Sequence, residues 1–249
     1  MPTKKPDVPY KKCQAFVLSV YRRNIMIKHI IFDCFGTLID TGSTSVNAAQ
    51  RILSDVGSSV DARTFYADWK AIKRKMMYEP YFRSEKKLYE ESLSEAFKKY
   101  GINADAAAQV KPMIDSLFSV RICFPEVRDT LQSIAARGID IAIGSTTDND
   151  SLMHYLRFNN MHMEHIFTSE DMQVYKPAKQ FYQTILDKSG WAAQDCLFVG
   201  DSYEDDVMGP KSVGIKAVLI DRKGRYDITT LNPAPDYCIK LLAELGNII

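Results

Sequence analysis

The stretch HIIFDCFGTL, residues 29–38, decides the fold of this chain of 249 residues. A short apolar run ends on Asp33, and Gly36 follows three residues later. A buried strand of a parallel sheet has this pattern, with a charge placed at its C-terminal end. Open α/β sheets bind their ligands at that end of the strands. Asp33 is therefore a candidate functional residue, although an aspartate that only caps a helix or forms a turn would look the same here.

Length and composition limit the classes of protein to which the chain can belong. The length suits one large domain or a core with a sizeable insertion. The formal net charge of +1 gives no indication of a nucleic acid or an anionic membrane as a partner, and no segment approaches the length that spans a bilayer. The five cysteines form no CxxC pair, so we interpret them as reduced thiols of a cytoplasmic protein.

The pattern of strands and helices divides the chain into parts. Residues 1–25 contain lysines, a short apolar run and two arginines without a small-residue cleavage site, and we interpret them as a disordered or loosely docked extension, with Met26 as an alternative start. Residues 43–120 have only helical patterns. Strands and helices then alternate. We therefore expect an α/β fold in which residues 26–42 and 121–249 form a Rossmann-like parallel sheet core with helices on both faces, and the helical residues are an insertion.

Three later stretches also place polar residues where a strand or a turn ends. Ser145 and Thr146 follow the run IAIG, Lys176 precedes a proline in a turn, and Asp201 follows the run LFVG. Strand ends on one edge of a parallel sheet converge, so we expect these residues and Asp33 to face a common crevice. The alternatives are that Lys176 is a solvated loop residue and that Ser145 only caps the next helix.

These motifs, in this order, resemble those of the haloacid dehalogenase-like hydrolases, and the resemblance extends from Ile27 to about Arg222. It implies that the helical insertion is the cap of that family. It also implies that the catalytic residues are Asp33, as the nucleophile, and Lys176. The residues that would hold substrate oxygens are Thr37, Ser145 and Thr146.

The resemblance further implies a magnesium ion. In the phosphatases of this family its ligands would be the Asp33 side chain, the Phe35 carbonyl oxygen and the Asp201 side chain. Asp205 or Asp206 would orient a metal-bound water, and the spacing leaves open which of the two. The physical argument agrees, because carboxylates that share a pocket repel each other unless a cation lies between them. Mg²⁺ is a hard cation that uses few carboxylates together with water and phosphate.

Phe35 departs from the phosphatase pattern, in which a second aspartate at this position protonates the leaving group. General acid–base help of that kind is worth roughly a hundred- to ten-thousand-fold in rate. The 2-haloacid dehalogenases of the family have an aromatic residue there, because halide leaves without a proton. However, they use no metal, and Asp201 does not fit their pattern. Their halide-binding arginine has no clear counterpart here, with Arg63 and Arg83 as candidates.

Three functions therefore remain open. We favour a Mg²⁺-dependent hydrolase of a phosphorylated small molecule. A metal-independent 2-haloacid dehalogenase is the first alternative, and a catalytically silent relative that binds a ligand through the same crevice is the second. The sequence indicates no nucleic-acid or membrane partner, and it determines neither the substrate nor the oligomeric state.

Overall fold

The structure is a computed structural model, and it describes residues 27–117 and 121–249. The extension predicted for residues 1–25 lies outside the described residues. Within them, six strands form one parallel sheet in the order β3-β2-β1-β4-β5-β6, which confirms the predicted α/β fold. The strands are β1 (His29–Phe32), β2 (Asp140–Ser145), β3 (His165–Thr168), β4 (Cys196–Gly200), β5 (Lys216–Ile220) and β6 (Tyr237–Ile239).

Strand β1 lies at the centre of the sheet, between β2 and β4. Ile30 is paired with Ile141 of β2 on one side and with Leu197 of β4 on the other. Strand β1 is buried on both faces, which explains why its sequence is a continuous apolar run. The chain order of the strands reverses here, and such a reversal opens a crevice at the carboxyl ends of the neighbouring strands. Asp33 follows β1 directly, so the fold places it in that crevice.

Four helices lie between β1 and the rest of the sheet, and we call them the cap helices: α1 (Thr44–Asp55), α2 (Ala62–Met76), α3 (Glu85–Tyr100) and α4 (Ala106–Leu117). They share a hydrophobic cluster of their own, in which Phe65, Trp69 and Phe97 are buried. The Trp69 indole donates a hydrogen bond of 2.8 Å to Ser92 Oγ inside this cluster. The Ser84 side chain caps the start of α3 by accepting from the Lys87 amide.

The remaining helices cover both faces of the sheet: α5 (Val127–Ala135), α6 (Asn149–Phe158), α7 (Ser169–Met172), α8 (Lys179–Ser189) and α9 (Gly209–Lys211). Ile30 and Phe32 point to the face on which α5 and α6 pack, whereas Ile31 points to the face covered by α8. The alternation of side chains along β1 therefore contributes to two separate hydrophobic clusters.

The segment after β4 begins with a helical turn of unusual geometry. A π-helical turn, Glu204–Met208, precedes α9. Such turns insert one extra residue into a helix and occur often at functional sites. Among the residues that the structure describes, no helix combines the length and apolar character needed to cross a membrane.

Candidate active site

Asp33 and Lys176 form a buried ion pair at the carboxyl end of β1. Lys176 Nζ lies 2.9 Å from Asp33 Oδ1 and 2.8 Å from Asp206 Oδ1, and the lysine side chain is only 1% exposed. Burial by itself lowers the pKa of Lys176, but the charges of Asp206 and Asp33 outweigh it and raise the pKa overall. Lys176 is therefore a charged ammonium held between two carboxylates, and not the solvated loop residue of the alternative interpretation.

The second oxygen of Asp33 is held by Thr37, whose hydroxyl donates to Asp33 Oδ2 at 3.2 Å. The sequence predicted that Thr37 binds substrate oxygens. In the structure Thr37 is completely buried and its hydroxyl contacts the carboxylate instead, so its observed contact is one that positions Asp33. Burial raises the pKa of Asp33, Lys176 opposes this, and the charge of Asp201 raises it further.

Three carboxylates converge at this point, and we call Asp33, Asp201 and Asp206 the carboxylate cluster. Each offers an oxygen that lies within 4.8 Å of the other two. Gly36 makes the close approach feasible, because a Cβ atom at this position, where φ is +95°, would lie 2.8 Å from the Asp201 carboxylate. Gly200 has the same role towards Asp206, whose side chain occupies the space of a Cβ.

The carboxyl groups of the cluster outnumber the cations that the described residues place beside it, which are Lys176 and Arg225. Burial raises the pKa of Asp206 to about 7, against the opposing effect of Lys176. Burial and the charge of Asp206 also raise the pKa of Asp201, although Arg225 donates to its Oδ2 at 2.9 Å. Ionisation of all three carboxyl groups beside these two cations is therefore unfavourable. Convergent carboxylate oxygens with an excess negative charge fit a hard divalent cation such as Mg²⁺.

The structure separates the two residues that the sequence left as alternatives. Asp206 enters the carboxylate cluster, and its Oδ2 accepts a hydrogen bond of 2.9 Å from the Ser202 amide. The Asp205 carboxylate points to the cap instead, where Arg74 Nη2 donates to its Oδ1 at 2.8 Å and Arg74 Nη1 to its Oδ2 at 3.2 Å. The placement predicted for Asp205 beside the metal is therefore not the observed one.

A cavity of about 280 Å³ lies in front of Asp33, between the sheet edge and the cap helices. Asp201, Ser145 and Thr146 line it, as does the ring of Phe35. The Ser145 hydroxyl is buried and has no hydrogen-bond partner among the described residues. Leaving a buried hydroxyl without a partner costs about 1–3 kcal/mol. Ser145 is thus oriented towards the cavity as an open donor, whereas capping of the next helix, its alternative role, is not what the structure shows.

The cap helices are held against the sheet edge by polar contacts. Asp148 precedes α6, but its two carboxylate oxygens accept from the amides of Glu85 and Lys86 at 2.6 and 3.0 Å, so it caps helix α3 across the cavity. The Tyr175 hydroxyl adds a hydrogen bond of 2.8 Å to the Arg83 carbonyl oxygen. These contacts close the cavity on the side away from the sheet.

The arginines of the site are not those that the sequence suggested. Arg63 is exposed, and Arg83 is paired with Glu79 and Glu91, so neither lines the cavity. Arg121 does, and its guanidinium carbon lies 5.6 Å from the centre of the Phe35 ring and 5.5 Å from that of Tyr155. No motif surrounds Arg121, which is why sequence reasoning missed it.

Comparisons with known proteins assign the chain to a family. The model of the family described as haloacid dehalogenase-like hydrolase matches residues 27–214. The chain belongs to the haloacid dehalogenase-like hydrolases. The cavity around Asp33 is the candidate active site of this hydrolase.

The relatives of this hydrolase include both branches considered above. It is 24% identical over 204 residues to (S)-2-haloacid dehalogenase 4A of Burkholderia cepacia, with 80% of this chain and 84% of that protein aligned. It is also 24% identical over 226 residues to the phosphoglycolate phosphatase of Yersinia pseudotuberculosis, with 88% and 91% aligned. The solved structure of L-2-haloacid dehalogenase from Xanthobacter autotrophicus superposes with a TM-score of 0.70 at 18% identity, covering 90% of this chain and 98% of that one, and shows the common fold.

Proposed function

We propose that this haloacid dehalogenase-like hydrolase is a Mg²⁺-dependent phosphatase of a small phosphorylated molecule, with Asp33 as its nucleophile. The observation that carries the proposal is the carboxylate cluster, in which three carboxylates converge within 4.8 Å and the described residues pair them with two cations, Lys176 and Arg225. Asp33 can attack only as a carboxylate, and the neighbouring Asp201 and Asp206 disfavour that form unless a further cation is bound. A divalent cation that is bound there in turn favours a phosphorylated substrate.

The chain's own residues can carry out a two-step displacement. Asp33 attacks phosphorus, the bond to the ester oxygen breaks, and water then attacks phosphorus to release phosphate and regenerate the carboxylate. Lys176 at Oδ1 and Thr37 at Oδ2 hold the attacking group in one orientation. Ser145, with its open hydroxyl, donates to a phosphoryl oxygen of the substrate. Such positioned donors stabilise the charge that develops on phosphoryl transfer.

The metal would be held by Asp33, Asp201 and the Phe35 carbonyl oxygen, with Asp206 orienting a bound water. Its contribution is to neutralise phosphate charge beside an anionic nucleophile. Phe35 cannot donate a proton, so the leaving oxygen must depart without help from this position. Among esters that the cavity binds equally well, we therefore expect those with acidic leaving groups to react fastest.

One observation favours the metal-independent dehalogenase as a second candidate. The Phe35 ring occupies the position of the phosphatase acid and packs edge-on against Tyr155, with ring centres 5.5 Å apart. An apolar wall of this kind suits a halide, which leaves as an anion and needs no proton. The carboxylate cluster argues against this function, since without a bound metal its excess negative charge would repel the carboxylate of a haloacid.

The deciding experiment compares both reactions in one preparation. Phosphate release from p-nitrophenyl phosphate and chloride release from 2-chloropropionate are measured with MgCl₂ and with EDTA. The proposal predicts phosphate release that requires Mg²⁺ and is abolished by Asp33→Asn, whereas the surface variant Asp187→Asn retains it. Chloride release that persists in EDTA, without phosphatase activity, would overturn the proposal in favour of the dehalogenase.

A further inference from the structure

Arg121 is a cation of the cavity for which the described residues provide no counter-ion. The other charged side chains that line the cavity are paired. These pairs are Asp33 and Asp206 with Lys176, Asp201 with Arg225, Asp205 with Arg74, Glu85 with Lys73, Asp148 with the amides of Glu85 and Lys86, and Lys86 with Asp150. A guanidinium in such a cavity, facing no carboxylate, is suited to take its counter-ion from a ligand.

The described residues around Arg121 hold it in place but leave its Nε atom without a hydrogen-bond acceptor. Asn159, a buried residue, accepts from the Cys123 amide at 2.8 Å and donates to the Arg121 carbonyl oxygen at 2.9 Å, which fixes the backbone. The guanidinium lies over the rings of Phe35 and Tyr155, and these contribute a weak attraction but no hydrogen bond. Its Nε atom is buried without an acceptor. A buried donor without an acceptor destabilises the protein, and a bound ligand that accepts from this guanidinium can offset part of that cost.

We infer that Arg121 is the residue that selects the substrate, and that it binds a carboxylate carried by the phosphorylated molecule. The inference rests on the proposed function, since it takes the cavity in front of Asp33 as the substrate cavity. A carboxylate matches the planar fork of a guanidinium, which can donate two parallel hydrogen bonds to it. Arg121 reaches the cavity beside Phe35, two residues from the nucleophile, so the carboxylate and the reacting phosphate belong to one short molecule.

The size of the cavity agrees with a short substrate. Its volume of about 280 Å³ lies just below the roughly 300–1,000 Å³ typical of pockets for drug-sized ligands. A phosphate ester with a skeleton of two or three carbons and one carboxylate is small enough for this volume. Its phosphate and carboxylate are suited to accept from the two open donors, Ser145 and Arg121.

Binding is measured first, so that the result does not depend on turnover. Full-length protein carrying Asp33→Asn is titrated in MgCl₂ by calorimetry with phosphoglycolate and with its neutral amide, phosphoglycolamide. A charge-assisted pair of hydrogen bonds corresponds to a preference for the acid of roughly ten- to a hundredfold. Arg121→Met should reduce this ratio of dissociation constants to about one, and Arg121→Lys should retain part of it, because the charge remains but the fork is lost.

Arg157→Met is the matched control, because Arg157 is an exposed arginine on helix α6, and the ratio should not change in it. Thermal unfolding of each variant separates a binding role from a structural one. An equal affinity for acid and amide, a ratio that Arg121→Met leaves unchanged, or the failure of both ligands to bind would overturn the inference. Failure of the proposed function has a different signature, namely no Mg²⁺-dependent release of phosphate from any ester by the enzyme with native Asp33.

Discussion

Replacing Lys176 by methionine tests the electrostatic arrangement on which the site depends. The substitution keeps an unbranched side chain that is one atom shorter, and it removes the ammonium that lies 2.9 Å from Asp33 Oδ1 and 2.8 Å from Asp206 Oδ1. The apolar part of the residue already lies among aromatic rings, with Nζ 4.8 Å from the centre of the Phe198 ring, so methionine fits the site. The loss should therefore be one of charge and not of packing.

The magnitude follows from the burial of the pair. Removing one partner of a buried ion pair costs about 3–5 kcal/mol, because the remaining charge is left uncompensated. In a chain of this length, each kcal/mol lowers the melting temperature by roughly 2–4 °C, so we expect a decrease of roughly 6–20 °C near pH 8. Without Lys176 the pKa values of Asp33 and Asp206 rise further above their unfolded values. The folded variant then binds protons more readily than the unfolded chain, and its deficit should shrink as the pH is lowered to about 5.5.

The assay is thermal unfolding followed by circular dichroism, in EDTA, at both pH values. Lys179→Met, which removes an exposed lysine three residues away, is the control and should melt like the wild type. Lys176→Met combined with Asp206→Asn should recover part of the loss, because one of the two uncompensated carboxylates is gone. A single variant that melts with the wild type at pH 8, or whose deficit does not depend on pH, refutes the reasoning.

Three further predictions concern the cluster and its neighbour. Asp201→Ala should raise the Mg²⁺ concentration needed for half-maximal phosphatase activity, and an unchanged titration would reject Asp201 as a ligand. If only the proton donor is lacking, Phe35→Asp should raise kcat for phenyl phosphate, whose leaving group is poor, by up to roughly a hundredfold. Phe35→Asn is the control that cannot donate such a proton, and an equal gain in that variant would count against this explanation. In EDTA the melting temperature of the wild type should fall as the pH rises from about 5 to about 8. Burial raises the pKa of Asp206 from 3.8 to about 7, so the folded protein retains a proton in this window that the unfolded chain has already lost. Asp206→Asn should flatten this dependence, and a profile that stays equally steep in that variant would assign the dependence to another group.

The fold could be predicted from the sequence because its decisive signals are local. Strands β1, β2 and β4 are buried runs of apolar residues, and each ends in the polar residue that the site needs. Strand β6, Tyr237–Ile239, has only three residues, of which two are half-buried, and its pattern is too short and too mixed to predict a strand. A continuous apolar run therefore identifies the central strands of the sheet but not this strand at its edge.

The candidate site was predictable where a residue follows a strand directly. Asp33, Ser145 and Asp201 come from such positions, since parallel strand ends necessarily meet. The identity of the third carboxylate was not predictable, because it depends on the π-helical turn in which Asp206 faces inwards and Asp205 faces the cap. No pattern of residue spacing indicates that a helix will adopt this register.

The partners contributed by distant segments could not be predicted either. Arg74 pairs with Asp205 across 131 residues, and Arg225 with Asp201 across 24. Arg121 follows the inserted helices, and its place in the cavity depends on how they return to the sheet. Thr37 is the reverse case. Its motif could be recognised from the sequence, but the contact of its hydroxyl with the nucleophile, and not with the cavity, could not be predicted.

The most direct test of the central claim is to identify the atom that becomes covalently modified during turnover. The enzyme is mixed with p-nitrophenyl phosphate and MgCl₂, quenched in acid within one turnover, reduced with borohydride and digested for mass spectrometry. The account predicts that the peptide containing Asp33 carries the reduced side chain expected from a phosphoaspartate, and that EDTA prevents the modification. Phosphate release with Asp33 unmodified, or modification of another carboxylate of the cluster, would contradict it.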